Sequence, residues 1–356
     1  MAVSDAVLPA VDRKPWIAGE VGTPAGLVPQ VATRLDMADR LGAVKVRLGL
    51  RRMRYMVEPG LYAVGSPTAE SPVFVSANYK LSFDHLRCEL EGIDGWIMVI
   101  DTKGINVWCA AGKGTFGTEE IVRRIEATRL SEIVSHRRII VPQLGAPGVA
   151  AHEVRRRSSF RVIYGPVRAR DIPEFLDAGM KTSPDMRRVL FNIGDRLVLV
   201  PLELVNWGRY ALFIALVIFL LTGLNQNGYV FPGLAGVREV FLLFIAFLVG
   251  GALVPVFLPW LPGRALSWKG MSIGLLLAAV LVIVGLIPSA RIAGQLETAA
   301  WVLLMPAIGA FMAMNFTGAT TYTSLSGVKK EMRFAVPSQI AAAVLGFALW
   351  MVARFF

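Results

Sequence analysis

The residues best suited to chemistry lie at positions 104–118, which read GINVWCAAGKGTFGT. Asn106 is a favourable helix N-cap. Val107 to Lys113 predict about two helical turns, ended by Gly112 and Gly114. Cys109 then falls in the first turn, where the helix dipole and free N–H groups favour the thiolate. Lys113, one turn further on, adds a positive neighbour. Ala110 and Ala111 are expected to leave a flat, bare surface beside the sulfur, open to a planar macrocycle, and Trp108 to anchor the helix in apolar packing.

Spacing alone leaves two readings of Cys109: a small packed hydrophobe, the commoner fate of a lone cysteine, or a single metal ligand. No second Cys or His stands at chelate spacing, which argues against zinc or an iron–sulfur cluster. A metal held by one protein ligand needs its other positions filled in advance, as in a haem or a corrin. His85, His136 and His152 read as ordinary core or surface residues, and none lies in a DxHxxG pattern. Cys88 reads as a packed thiol, with a second soft-metal-handling thiol as the lesser alternative. With two cysteines in the chain, no disulfide framework holds the fold.

Strand and helix signals alternate around this motif. Apolar runs at 73–77, 96–100, 139–142 and 161–164 predict strands, with a fifth at 197–200. Helical patterns at 83–90, 119–130 and 171–178 separate them. The expectation is an α/β, Rossmann-like domain with a largely parallel sheet covered on both faces. In such sheets ligands bind beyond the carboxyl ends of the strands. The loops there, at 78–80, 101–104, 143–148 and 165–168, combine Gly, polar side chains and isolated cations, a mixture suited to a large ligand with amide and phosphate groups. No GxGxxG opens a helix and no P-loop is present. Residues 1–60, rich in Pro and Gly with a basic run at 47–54, are expected to form a partly irregular wrap before a domain at 61–205. No basic and apolar leader is read at the start of the sequence, so this domain is expected to stay in the cytoplasm.

Residues 206–356 differ in kind. They hold 9 basic and 3 acidic side chains, against 28 and 23 before them, so the net charge of +11 is not a nucleic-acid footprint. Apolar stretches at 210–224, 237–258, 271–287, 298–314 and 339–353 approach the ~20 residues that cross a bilayer, predicting an all-α transmembrane domain of five helices in contact with membrane lipid. Arg209, Arg264, Lys269, Lys329, Lys330 and Arg333 flank one side, and Arg238, Arg291 and Arg354 the other; the richer side is expected to be cytoplasmic. Trp207, Tyr229, Trp260, Trp268, Trp301 and Trp350 fit interfacial anchors. No Asp, Glu or Lys is expected in mid-span, which disfavours an ion-coupled pump. The hydroxyl-rich loop at 315–332 reads equally as a solvated loop or as a surface for the first domain or its ligand.

The eight residues Asn106-Val107-Trp108-Cys109-Ala110-Ala111-Gly112-Lys113 resemble the signature of the mercury-methylating corrinoid proteins, the HgcA family. Residues 59–62, 77–83, 141–149 and 164–167 and the five-span tail extend the resemblance over nearly the whole chain. The first domain also resembles the corrinoid domain of the corrinoid iron–sulfur protein, which lacks the cysteine and the tail. The resemblance implies a cobalamin-type corrinoid bound base-off, with Cys109 as catalytic residue and axial cobalt ligand and residues 106–113 capping the corrin. From their strand-end positions, Asn78 and Ser82 would border that face, and Gly145, Tyr164 and Gly165 would hold the nucleotide tail. It further implies a corrinoid-dependent methyltransferase passing a methyl group from methyl-cobalt(III) to Hg(II). A methyltetrahydrofolate-linked donor and a ferredoxin-like partner with two [4Fe–4S] clusters would serve it, in the cytoplasmic membrane. The alternatives are a corrinoid methyl carrier of one-carbon metabolism with another acceptor, a transporter or receptor with a sensing domain, and a non-catalytic mercury-binding thiol protein.

Overall fold

The computed structural model of the chain describes residues 8–9, 14–316 and 325–356. Two compact units divide it, one running to Val189 and the other from Leu190 to Phe356, with Arg47–Gly49 grouped with the second.

In the first unit, runs of β-branched and aromatic residues form the centre of a seven-stranded sheet: β1 (Ile17–Thr23), β2 (Gly26–Val31), β3 (Gly60–Val64), β4 (Val73–Ala77), β5 (Gly95–Ile100), β6 (Arg138–Val141) and β7 (Arg161–Tyr164). Their order is β1-β2-β3-β5-β4-β6-β7. The block β5-β4-β6-β7 is parallel throughout, whereas β3 runs antiparallel to β5. Every residue of β3, β4 and β5 is buried, as continuous apolar runs in a sheet covered on both faces require. α2 (Lys80–Glu89) and α7 (Ile172–Asp177) contribute to the core on one face; α3 (Val107–Lys113), α4 (Thr118–Ala127), α5 (Leu130–Ile133) and α6 (Ala151–Ser158) cover the other. The chain passes from β4 to β5 on one side and from β5 to β6 on the other. The strand order therefore reverses beside β4, the place where such sheets bind ligands beyond their carboxyl ends.

The expected α/β fold is thus present, with local differences. The segment expected as a wrap contains the β1–β2 hairpin, which extends the sheet beside β3, and α1 (Met37–Arg47). Residues 197–200 are not a strand: α8 (Ile193–Leu197), capped by Asn192 with a reciprocal Asp195 bond, leads into a long helix. The apolar run there is the start of a helix face.

The second unit is built on α9 (Val200–Leu221), α10 (Gly233–Leu248), α11 (Val254–Phe257), α12 (Leu266–Ile283), α13 (Arg291–Asn315) and α14 (Leu325–Val352), with a π-helical turn at Val249–Leu253 joining α10 to α11. Five continuous helical stretches are long and apolar enough to cross a membrane. A Cβ on Gly270 or Gly274 would collide with the α13 backbone, so these glycines let α12 and α13 approach closely. Of the loop expected at 315–332, residues 317–324 lie outside the described residues, and the chain is helical from Leu325.

Charged side chains are buried inside the bundle, toward the ends of the spans and not at their middles. Glu239 and Glu297 are buried inside α10 and α13. Arg238 donates to Glu239 Oε1 at 2.6 Å and also to Glu297, while Arg354 donates to Glu297 Oε2 at 3.1 Å. The indoles of Trp301 and Trp350, each 1% exposed, donate to Glu239 Oε2 at 3.1 and 2.8 Å. These two tryptophans are therefore ligands of a buried carboxylate and not interfacial anchors. Both helices begin several residues earlier than hydropathy suggests, so acids expected at the rim lie within the bundle. Lys269 is likewise buried, donating to the carbonyls of Leu258 and Leu261 at 2.8 and 2.5 Å.

Candidate functional site

β5 delivers the chain to a loop that must reverse sharply before α3. Lys103 (φ 60°) and Gly104 (φ 71°) are both left-handed, a conformation that costs a non-glycine residue about 1–2 kcal/mol. Asn78, at the carboxyl end of β4, holds it. Its Oδ1 accepts from Thr102 N (3.1 Å), Thr102 Oγ1 (2.9 Å) and Gly104 N (3.0 Å), and its Nδ2 donates to Asp101 (3.1 Å). Asp101 Oδ1 accepts from Lys103 N at 2.9 Å. Glu120 Oε1 accepts from Asp101 N at 2.9 Å and is itself paired with Arg124 at 2.7 Å.

The loop feeds α3, whose start is fixed by Asn106 Oδ1 accepting from Cys109 N at 2.9 Å. Gly114, at φ 79°, ends the helix, its N–H meeting the carbonyls of Ala110 and Ala111. Ala110 and Ala111 are buried in the sheet's core on that face, and α3 packs on the 3-10 turn Gln143–Gly148. A Cβ on Gly148 would overlap the Phe116 carbonyl oxygen and come within 3.2 Å of Ala111 Cα, and one on Gly145 would strike the Phe116 ring. Glycine at both positions lets turn and helix meet.

At 100° per residue, positions 108, 109, 112 and 113 share the opposite face. Trp108 is 38% exposed, Cys109 is partly exposed, and Gly112 and Lys113 are exposed. Two expectations are corrected. The alanines face inward because their methyls fill the gap to the 3-10 turn, and Trp108 lies outside the packing it was expected to anchor. Gly112 supplies the bare surface beside the thiol: a Cβ there would meet nothing within 4 Å. Val107 is partly buried against the core.

The remaining predicted residues distribute around this helix and the carboxyl ends of the strands. Asn78 is buried, with its amide engaged by the loop. Ser82 is partly buried in the first turn of α2. Gly145 lies in the 3-10 turn under Phe116. Tyr164 donates its hydroxyl to Val149 O at 2.7 Å, and burial pushes its pKa up, so it remains a donor. Gly165 continues the β7 ladder, donating to Val141 O at 2.8 Å. Lys80 is not a free cation for phosphate: its ammonium is buried against Asp39 (2.6 Å) and Asp84 (2.7 Å), beside Arg87, which pairs with the same two carboxylates. Burial alone would raise the Asp39 pKa, but hydrogen bonds from Lys80 and Arg87 hold it below the usual value.

Sequence reading missed Met53 and Met56, which are 58% and 46% exposed. The Met56 sulfur lies 2.8 Å from where a Gly104 Cβ would stand, and Met56 bridges Tyr79 at the β4 loop. Two thioethers and an indole thus border the thiol-bearing end of the unit. Their neighbours in RRMRYM disguised them as part of a solvated basic run.

Fold and site together define a doubly wound α/β unit that presents a partly exposed cysteine on a helix face with open space beside it, in a chain whose described residues include five membrane-length helices. The family model described as CO dehydrogenase/acetyl-CoA synthase delta subunit matches residues 51–176. The chain is similar to the gamma subunit of the acetyl-CoA decarbonylase/synthase complex of Methanopyrus kandleri, at 35% identity over 123 residues, covering 34% of this chain and 26% of that protein. The corresponding subunit of Archaeoglobus fulgidus is 31% identical over 128 residues, covering 35% and 27%. The corrinoid/iron-sulfur protein large subunit of Moorella thermoacetica is 31% identical over 126 residues, covering 35% and 28%. The chain thus spans about a quarter of the length of these relatives, and the family match falls within the α/β unit.

Proposed function

We propose that the α/β unit binds a cobalamin-type corrinoid base-off, that Cys109 is its lower axial cobalt ligand, and that the chain is a membrane-bound methyltransferase whose acceptor is Hg(II). The observation that carries this reading is the partly exposed thiol on a helix face where Gly112 leaves open space, in a unit similar to a corrinoid/iron-sulfur protein subunit. The residues fit the group. A planar ring needs open space beside the sulfur, which Gly112 leaves, with Trp108 and Lys113 flanking it on the same helix face. Trp108, Met53 and Met56 offer apolar and polarizable edges.

When bound, the corrinoid would supply a cobalt able to carry a methyl group, and Cys109 would hold that cobalt through a soft, strongly donating thiolate, the kind of ligand suited to delivering a methyl group to an electron-poor mercuric ion. The chain's own residues do the positioning. Asn106 fixes the Cys109 backbone, and Asn78 locks the preceding loop. Gly148 and Phe116 hold the helix from behind, and Lys113 places a cation on the thiol's face. Gly145, Tyr164 and Gly165 would border the nucleotide tail, and Ser82 the ring. A methyltetrahydrofolate-linked donor and a ferredoxin-like protein with two [4Fe–4S] clusters would complete the system. The α/β unit would face the cytoplasm, on the side of Arg209, Arg264 and Lys330.

A second reading keeps site and cofactor but passes the methyl group to another one-carbon acceptor; the acetyl-CoA complex subunits among the relatives favour it. Assaying the full chain with Hg(II) and with alternative acceptors separates the two. Wild type should form methylmercury and Cys109→Ala should lose at least 100-fold of that activity with its helical unit folded. Equal methylation by the alanine variant would remove the thiolate from the mechanism.

A further inference from the structure

We propose that the helical unit holds one anionic phospholipid in a cleft between α12 and α14, floored by α13, independently of what the α/β unit binds. Both flanking helices pack along α13. They meet where Ser267 N donates to Glu331 at 2.6 Å. Between them lies a cleft of about 1070 Å³, at the upper end of the ~300–1,000 Å³ usual for small-molecule sites. Its floor is low because α13 presents Pro306, Ala307 and Ala310 there.

Chemistry changes along the cleft. Arg264 and Lys330 stand at the mouth, and neither makes an ion pair among the described residues. Trp268, on the same rim, is 52% exposed. Below them the lining is mostly apolar as far as Leu275 on α12 and Ala342 on α14, interrupted on α14 by Ser338 and Gln339. At 1.5 Å per residue the lining extends roughly 14 to 18 Å along these helices, close to half of a ~30 Å hydrocarbon core. A mostly apolar slot one leaflet deep, with two cations at headgroup level against one carboxylate, Glu331, already engaged by Ser267 N, matches an acyl chain joined to a phosphate. Charge complementarity selects an anionic headgroup, because a zwitterion brings its own cation to the same mouth.

Native mass spectrometry of the full chain in detergent, titrated with phosphatidylglycerol or phosphatidylcholine, tests this. One phosphatidylglycerol should bind at least tenfold more tightly than phosphatidylcholine. The double variant Arg264→Gln/Lys330→Gln should abolish the preference, whereas Ser338→Trp, which fills the slot from the exposed side of α14, should weaken both lipids. Equal binding of the two lipids by wild type overturns the proposal. So does an undiminished phosphatidylglycerol preference in the double variant, or dimerisation of the chain through this face in place of lipid binding. Should the double variant fail to fold, brominated phosphatidylglycerol must quench Trp268 fluorescence, read as the difference between wild type and Trp268→Phe, more than brominated phosphatidylcholine does; equal quenching overturns the proposal.

Discussion

Each half of the chain buries a four-charge network, yet the halves use polarity differently. In the α/β unit, Lys80, Arg87, Asp39 and Asp84 satisfy one another beside the strand ends, while Cys109, Trp108, Lys113, Met53 and Met56 are left at least partly exposed. In the helical unit, Arg238, Arg354, Glu239 and Glu297 are closed off by two indoles. The difference shows where specificity resides. A site whose buried charges are closed among themselves leaves recognition to the sulfur, the indole and the lone Lys113 around it. It is well built for a large, flat ligand gripped at one point.

The sharpest way to break the comparison is to remove the shared acid of the helical network. Glu239→Leu leaves two guanidinium groups short of a buried partner and is expected to cost about 3–5 kcal/mol. Thermal unfolding of the detergent-solubilised chain should register it as a large loss in the helical unit. A neutral result would mean that water reaches this cluster. Next in size is Gly148→Ala, whose Cβ overlaps the Phe116 carbonyl. About 1–3 kcal/mol of overpacking is expected, and with α3 displaced, cobalt content after corrinoid loading should fall severalfold. Asn106→Ala removes the cap on Cys109 N and should cost about 1 kcal/mol, with a smaller drop in cobalt content and recovery in Asn106→Asp.

The smallest effect distinguishes the α/β network by pH. The Asp39 pKa is held below its unfolded value, so its contribution is complete above the unfolded pKa and declines as pH falls through the folded one. Chemical unfolding of the full chain, followed by a signal from the α/β unit, should show stability falling below about pH 4, less so in Asp39→Asn, which is weaker from the outset. An identical acid slope in both proteins would remove Asp39 from the cause.

Much of the fold was legible because continuous apolar runs such as VFVSA and WIMVI have few alternatives to a buried strand. β3 escaped notice since its run, GLYAV, opens on the Gly of the Pro59-Gly60 pair, which signals a turn. Within the site, Cys109 and its cap were legible from local spacing. The inward turn of Ala110 and Ala111 was not, because it depends on Phe116 and Gly148, brought together only by the sheet. The two charge networks were invisible for the same reason. Asp39 and Lys80 stand 41 positions apart, and Glu239 and Trp350 stand 111 apart.

The most direct test is the ultraviolet–visible spectrum and cobalt content of the full chain and its Cys109→Ala variant, both loaded with cobalamin under the same conditions. A sulfur–cobalt bond predicts a wild-type spectrum with a thiolate-to-cobalt signature that the variant lacks. Indistinguishable spectra at equal cobalt content, or a wild-type chain that takes up no cobalt, would contradict it.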